Sequence, residues 1–347
     1  MKRGSPLWVA LLLAPWLLWG AWSLLRGGGD AAPAREVVVY VSLDRLFAQP
    51  ILERFTQETG IAVRAKYDSE ATKTTGLVEA LLAERARPRC DVFWNNEVSQ
   101  TIRLAQADAL QPYQSPSAEG LPDWARDPGK LWTGFAARAR VLIVNTERVP
   151  ADQRPTSVAA LLDPKWKGQV GIAKPLYGTT ATHVAAWFAR DGAEQATAWF
   201  ERLKANGVVV CAGNADVKDR VAAGELAFGW TDTDDANLAI QAGKPVAVVF
   251  PDQGPDERGT LLIPNALALM KGAPHTAEGK ALIDWLLRPE IEEALAASRS
   301  VQIPLRDGLP RAPWIPTQLK AEPVDWSAAA EHFAAARAYV EQRFLAE

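Results

Sequence analysis

Cysteine, methionine and histidine are scarce in this 347-residue chain, which carries two, two and three of them. Two cysteines, Cys90 and Cys211, cannot build a zinc finger, an iron–sulfur centre or a disulfide scaffold. They fall on strands of different predicted units, so no bridge between them is expected. Basic charge is also short: 38 Lys and Arg stand against 41 Asp and Glu, a net of −3. A mildly acidic chain lacks the footprint that nucleic acid requires. The catalytic signatures G-x-S-x-G, H-E-x-x-H, G-x-x-x-x-G-K-[ST] and G-x-G-x-x-G are all missing. No period of 20–50 residues repeats. What is present is an ordinary globular mixture, 48% hydrophobic and 23% charged, which rules out disorder. The length suggests two domains.

Lys2 and Arg3 precede an uncharged apolar run, 6–25, followed by Arg26, a glycine stretch and Ala32-Pro33-Ala34. That order is a secretory signal with a cut before Arg35; the run is also long enough for an uncleaved membrane anchor. Either way the body is expected outside the cytoplasmic membrane, in a periplasmic or extracytoplasmic setting. The body then alternates. Residues 36–40 (EVVVY), 61–67 and 91–94 read as strands, with helices over 46–58, 74–85 and 98–107 between and after them. A second unit follows, with strands at 140–145, 168–173, 208–211, 226–230 and 245–250. Its helices lie at 180–190, 193–206 and 217–223, and two more close the chain at 277–287 and 328–344. The rhythm predicts α/β architecture with mainly parallel sheets flanked by helices, in two lobes that share a hinge. The chain is expected to cross between lobes near 135–141 and to return near 251–262.

Ligands of such sheets bind beyond the carboxyl ends of strands. There the sequence places Asp44; Ser69 and Thr72; Asn96 and Glu97; Tyr177, Gly178, Thr179 and Thr180; Asn214; and Asp232, Asp234 and Asp235. The last group holds three carboxylates in four positions. It is either a solvated turn capping a helix or a site for a cation, since adjacent carboxylates repel until a positive charge arrives. Gly178-Thr179-Thr180, opening a helix, suits an anion. Arg138 and Arg140 sit on the strand that crosses between lobes.

Several stretches carry a family resemblance: VVVYVS (37–42), ILERFTQETGIAV (51–63), CDVFWNNE (90–97), ARARVLIVNTERV (137–149), PKWKGQVGIAKP (164–175), NADVKDRVAAGELAFGWT (214–231) and the block 259–304. Over residues 36–320 the chain resembles the periplasmic solute-binding proteins of ATP-driven importers, and the ferric-iron-binding group in particular. The resemblance implies a two-lobed type II fold with the ligand cleft between lobes: 36–135 with 256–300 as lobe 1, and 136–255 with 301–347 as lobe 2. It also implies capture of a small ligand by closure and delivery to the membrane permease of an ABC importer, without an enzymatic step, by a monomer. The group's tyrosine pair is replaced here by Asp234-Asp235, its histidine slot by Asp44, and its glutamate slot by Asn96-Glu97. Asp44, Glu97, Asp234 and Asp235 are therefore the candidate metal ligands. Arg138, Thr179, Thr180 and Asn214 would hold a co-bound anion. No cofactor is expected beyond that bound ion. Carboxylates keep hard oxygen donors but suit other cations, or an organic ammonium, as well as iron. A small zwitterion such as an aminophosphonate is the alternative ligand; a membrane-tethered sensor domain and an exported metal-dependent hydrolase are lesser ones.

Overall fold

A computed structural model describes residues 35–68 and 75–346. The expected signal or anchor, 1–34, and the candidates Ser69 and Thr72 lie outside the described residues. Among the described residues no helix is long and apolar enough to cross a membrane.

The first three strands, β1 (Glu36–Val41), β2 (Ala62–Tyr67) and β3 (Val92–Asn95), pair in parallel with β1 in the centre. Parallel neighbours need crossovers, and α1 (Arg45–Thr59) and α2 (Thr75–Ala83) supply them, with α3 (Ser99–Gln106) following β3. Val37, Val39 and Val41 are fully buried against Phe47, Leu52 and Phe55 of α1. A second parallel set holds β5 (Val170–Ala173), β6 (Val209–Cys211) and β7 (Phe228–Asp232), with β5 in the centre. Its helices are α4 (Gly178–Ala205), α5 (Asn214–Ala222) and α6 (Thr233–Gln241). Within α4 the backbone breaks at Gly192, with φ 80° and ψ 159°, where the sequence placed the boundary between two helices.

The two parallel sets are joined by antiparallel strands, so the sheet that carries them is mixed. The long strand β4 (Thr133–Asn145) is buried throughout. Its residues 133–139 pair with β9 (Leu262–Leu269), which pairs in turn with β3. Its residues 140–144 pair with β7, and 142–145 also with β8 (Val246–Val249). One strand thus serves both half-sheets, and the segment between β8 and β9 passes back from one to the other. Near the passage the ladder shifts register between Phe135 and Ala137, with Ala136 at φ 39°. A non-glycine residue there costs about 1–3 kcal/mol and persists only when held. Here the Ala136 N–H donates to Glu292 Oε1 at 2.9 Å, and Asn265 Nδ2 donates to the Ala136 carbonyl at 2.7 Å.

Three helices complete the chain: α7 (Thr276–Leu286), α8 (Pro289–Ala297) and α9 (Trp326–Tyr339). Helix α8 was not anticipated; Pro289 opens it at a position that needs no N–H partner. Helix α9 packs Trp326 and Ala330 into the core around β3 and Phe333 and Ala336 into the core around β5 and β7.

Candidate functional site

The carboxyl ends of β3, β5 and β7 converge on the middle of β4. Side chains two apart on a strand share a face, so Arg138 and Arg140 project together. Arg140 is the direct ladder partner of Asp232. Asp232 therefore belongs to the end of β7 and not to the turn after it, and it is fully buried. Its Oδ1 accepts from Arg140 Nη1 at 2.6 Å. Its Oδ2 accepts from Thr179 Oγ1 at 2.6 Å, Asn214 Nδ2 at 2.9 Å and Arg138 Nη1 at 3.2 Å. Burial alone would raise its pKa, but the two guanidiniums and these hydrogen bonds outweigh burial and hold the carboxyl below its ordinary range.

Asp234 and Asp235 occupy the first turn of α6, where negative charge suits the helix dipole. Asp234 is 3% exposed, so the solvated-turn reading fails for it as for Asp232. Ligand oxygens of Asp232, Asp234 and Asp235 lie within 4.8 Å of one another. They do not wait for a cation to relieve their repulsion: Arg138 Nη1 is 3.3 Å from Asp234 Oδ2 as well as 3.2 Å from Asp232. Burial works against the Arg138 charge, yet Asp234, Asp232, Asp44 and Asp235 together hold the guanidinium above its ordinary range. Asp44, half-buried just after β1, thus acts on the same cluster.

Arg138 Nη2 also donates to the Asn96 carbonyl at 2.8 Å, tying β4 to the segment after β3. A second tie runs from Thr182 Oγ1 of α4 to Glu97 Oε2, 2.6 Å. Glu97 is fully buried; its carboxylate accepts the Ser99 and Gln100 N–H groups at 2.9 and 3.1 Å and so caps α3. Burial nevertheless pushes its carboxyl up, against the hydrogen bonds that favour ionisation.

A cavity of about 30 Å³ adjoins the aspartates, bounded by Asn96, Arg138, Lys174, Tyr177, residues 178–180 and Asn214. No carboxylate lines it. Gly178, at φ 56°, opens α4 in the left-handed region, and α5 begins at Asn214, so two helix N-termini face the cavity. Arg138 Nε, buried and without a protein partner, belongs to the same wall. Helix N-termini, a guanidinium and an ammonium together favour an anion. Strand-end reasoning placed Tyr177, Gly178, Thr179, Thr180 and Asn214 here. It passed over Lys174, the residue directly after β5. It also left Arg140 uncommitted, although Arg140 spans Thr179 (3.3 Å), Thr180 (3.1 Å) and Asn214 (3.2 Å) in addition to Asp232. Thr182 carried no signal, since it lies inside a helix.

This two-sided arrangement of half-sheets, with polar groups gathered where they meet, defines a cleft-type binding protein. Residues 51–323 match the family described as bacterial extracellular solute-binding protein, and the chain belongs to that family. It is 28% identical over 286 residues to iron uptake protein A1 of a Synechocystis strain, covering 80% of this chain and 77% of the relative. It is 24% identical over 314 residues to the Fe(3+)-binding periplasmic protein of Serratia marcescens, covering 85% and 90%. In three dimensions it resembles apo ferric ion-binding protein A of Pasteurella haemolytica, with TM-score 0.79, 23% identity, and coverage of 90% and 100%.

Proposed function

We propose that this protein captures an oxygen-liganded metal ion together with a small anion outside the cytoplasmic membrane and hands them to the permease of an ABC importer. The observation that carries the reading is the juxtaposition of two polarities. Three aspartates converge within 4.8 Å, and the cavity beside them is lined by Arg138 and Lys174 with no carboxylate. In this reading Asp234 and Asp235, with Asp44, present hard oxygens to the cation. Arg138, Lys174, Thr179, Thr180 and Asn214 receive the anion. Carboxylate oxygens suit Fe³⁺, and they suit Mn²⁺, Mg²⁺ or Ca²⁺ as well. The names of the Synechocystis and Serratia relatives favour iron. Residues 36–135 with 256–300, and 136–255 with 301–347, act as the lobes of a monomer, and closure brings Asn96 and Glu97 against Arg138 and Thr182. The chain performs no chemical conversion in this scheme.

A second reading has one observation of its own. Arg138 and Arg140 already neutralise Asp232, so the site offers both charges within one residue's length, which fits a small zwitterion such as an aminophosphonate. Native mass spectrometry of the purified protein, with elemental analysis, separates the two. One equivalent of iron supports the first reading, and an organic adduct without metal supports the second. If the protein retains neither after incubation with Fe³⁺ plus phosphate or with 2-aminoethylphosphonate, both fail.

A further inference from the structure

A larger cavity, about 410 Å³, is lined by Arg140 and lies between α4 and the segment that leads from β8 back to β9. No residue of β1, β2 or β3 lines it, so it is distinct from the cleft. Its inner wall is aromatic. Trp187 and Trp199 line it and meet edge-on at 4.5 Å, and the buried Trp230 backs Trp187, stacked at 5.3 Å. Its lining holds five carboxylates against three guanidiniums; Arg140 is committed to Asp232, Arg190 pairs with Asp191 and Glu322, and Arg258 pairs with Asp191, so the negative excess falls on Asp252, Asp256 and Glu257. Of the five, Asp256 is exposed and Glu257 is half-buried.

His183, 3% exposed, is part of the lining and lies between Trp187 (4.8 Å) and Trp230 (4.4 Å). Its Nε2 is 3.8 Å from Glu322 Oε2, while its Nδ1 is buried with no partner. Burial and the neighbouring Arg140 and Arg190 hold the ring neutral. A neutral ring with its proton toward Glu322 leaves Nδ1 as an unfilled acceptor. A buried polar atom without a partner carries a cost that a ligand donor would remove.

We infer that this cavity is a second ligand site, for a small organic cation with a planar or apolar body and N–H donors, such as an amine or amidine. The indoles take the body and attract the charge through their faces, the carboxylates balance it, and His183 Nδ1 accepts a hydrogen bond. The volume is within the usual range for small-molecule sites, about 300–1,000 Å³.

The test uses the full chain, with benzamidine as cationic probe and benzoate as its anionic counterpart of equal shape. Tryptophan fluorescence and thermal shift are followed during titration. The expected result is saturable quenching and a raised Tm with benzamidine, and neither with benzoate. Trp199→Ala should weaken benzamidine about tenfold, the scale of a desolvated cation–π contact. Asp256→Asn with Glu257→Gln, a rim change that leaves the aromatic core intact, should weaken it several-fold. Asp234→Asn, in the cleft, should leave it unchanged. Absence of saturation at millimolar benzamidine, equal binding of benzoate, or loss of binding in Asp234→Asn would each overturn the assignment.

Discussion

Replacing Asp232 by asparagine isolates the energetics of the cleft. The side chain keeps its volume and loses its charge. Asp232 is fully buried and bridges two guanidiniums that are themselves 4% and 1% exposed. Removing one partner of a buried ion pair strands the other, at a cost of about 3–5 kcal/mol. The asparagine amide would also turn one N–H₂ toward donors on Arg138, Arg140, Thr179 or Asn214. For a chain of this size that cost corresponds to a fall in Tm on the order of 5–10 °C. An exposed pair provides the contrast. Arg337 and Glu341, one helical turn apart and 32% and 44% exposed, contribute at most about 0.5 kcal/mol, so Glu341→Gln should be nearly silent. The pH dependence follows from the sign of the shift. The folded-state pKa of Asp232 is depressed, so its contribution is present above its unfolded value, about 3.9, and is lost as pH falls through the folded value. Thermal melts of the wild type and Asp232→Asn should stay apart by a constant interval from pH 8 to about 5 and converge below about pH 4. A gap under about 2 °C at pH 7 would mean that desolvation and attraction cancel here, and a gap that widens with acid would reverse the assigned sign.

Glu97 is the opposite case: its folded-state pKa is raised, so its contribution is fully present below the unfolded value and is lost as pH rises through the folded one. The Tm of wild type relative to Glu97→Gln should therefore fall as pH rises from about 4.3 toward neutrality. Thr182→Val removes the donor that ties α4 to Glu97 and should cost about 1.5–3 kcal/mol, read by chemical denaturation; no change would show that the tie carries no weight. Asp234→Asn with Asp235→Asn should abolish retention of metal or zwitterion in native mass spectra, and it should also lower Tm, because Arg138 loses a partner. At Gly134 an added Cβ would lie 2.9 Å from the Ala125 carbonyl, so Gly134→Ala should lower Tm through strain in β4. Cys90 and Cys211 are buried and free, and burial pushes the Cys211 thiol up to about 11. Maleimide should label neither within minutes at pH 7 in the native protein and both after denaturation.

The outer strands and their helices were legible because buried parallel strands are written in β-branched runs, as in EVVVY, and their helices end on residues such as Gly60. The first half of β4 was not. Its residues are small (Gly134, Ala136, Ala137, Ala139), and it is a strand because β9 supplies a ladder from far along the chain. Strand-end reasoning named residues that the structure does bring together, Asn96, residues 177–180 and Asn214, since it asks only where strands stop. It could not show that Arg138 and Arg140 already pair with Asp232 and Asp234, since that depends on which strands lie side by side.

The decisive fact is the register of β4 against β7. Asp232 and Arg140 are 92 residues apart and directly opposed. Because successive side chains alternate faces, Arg138 and Arg140 then point at the same aspartates; a slip of one residue would turn both arginines to the other side of the sheet. In that alternative the aspartates would form a bare acidic site, binding any small cation and strained without it. In the observed register the protein supplies its own counter-charge. Under the proposed function, a cation entering at Asp234 and Asp235 competes with the guanidinium of Arg138. It does so best if an anion arrives with it and gives Arg138 a new partner. The proposed reading, a cation taken together with an anion, thus rests on one non-local pairing that no local pattern encodes.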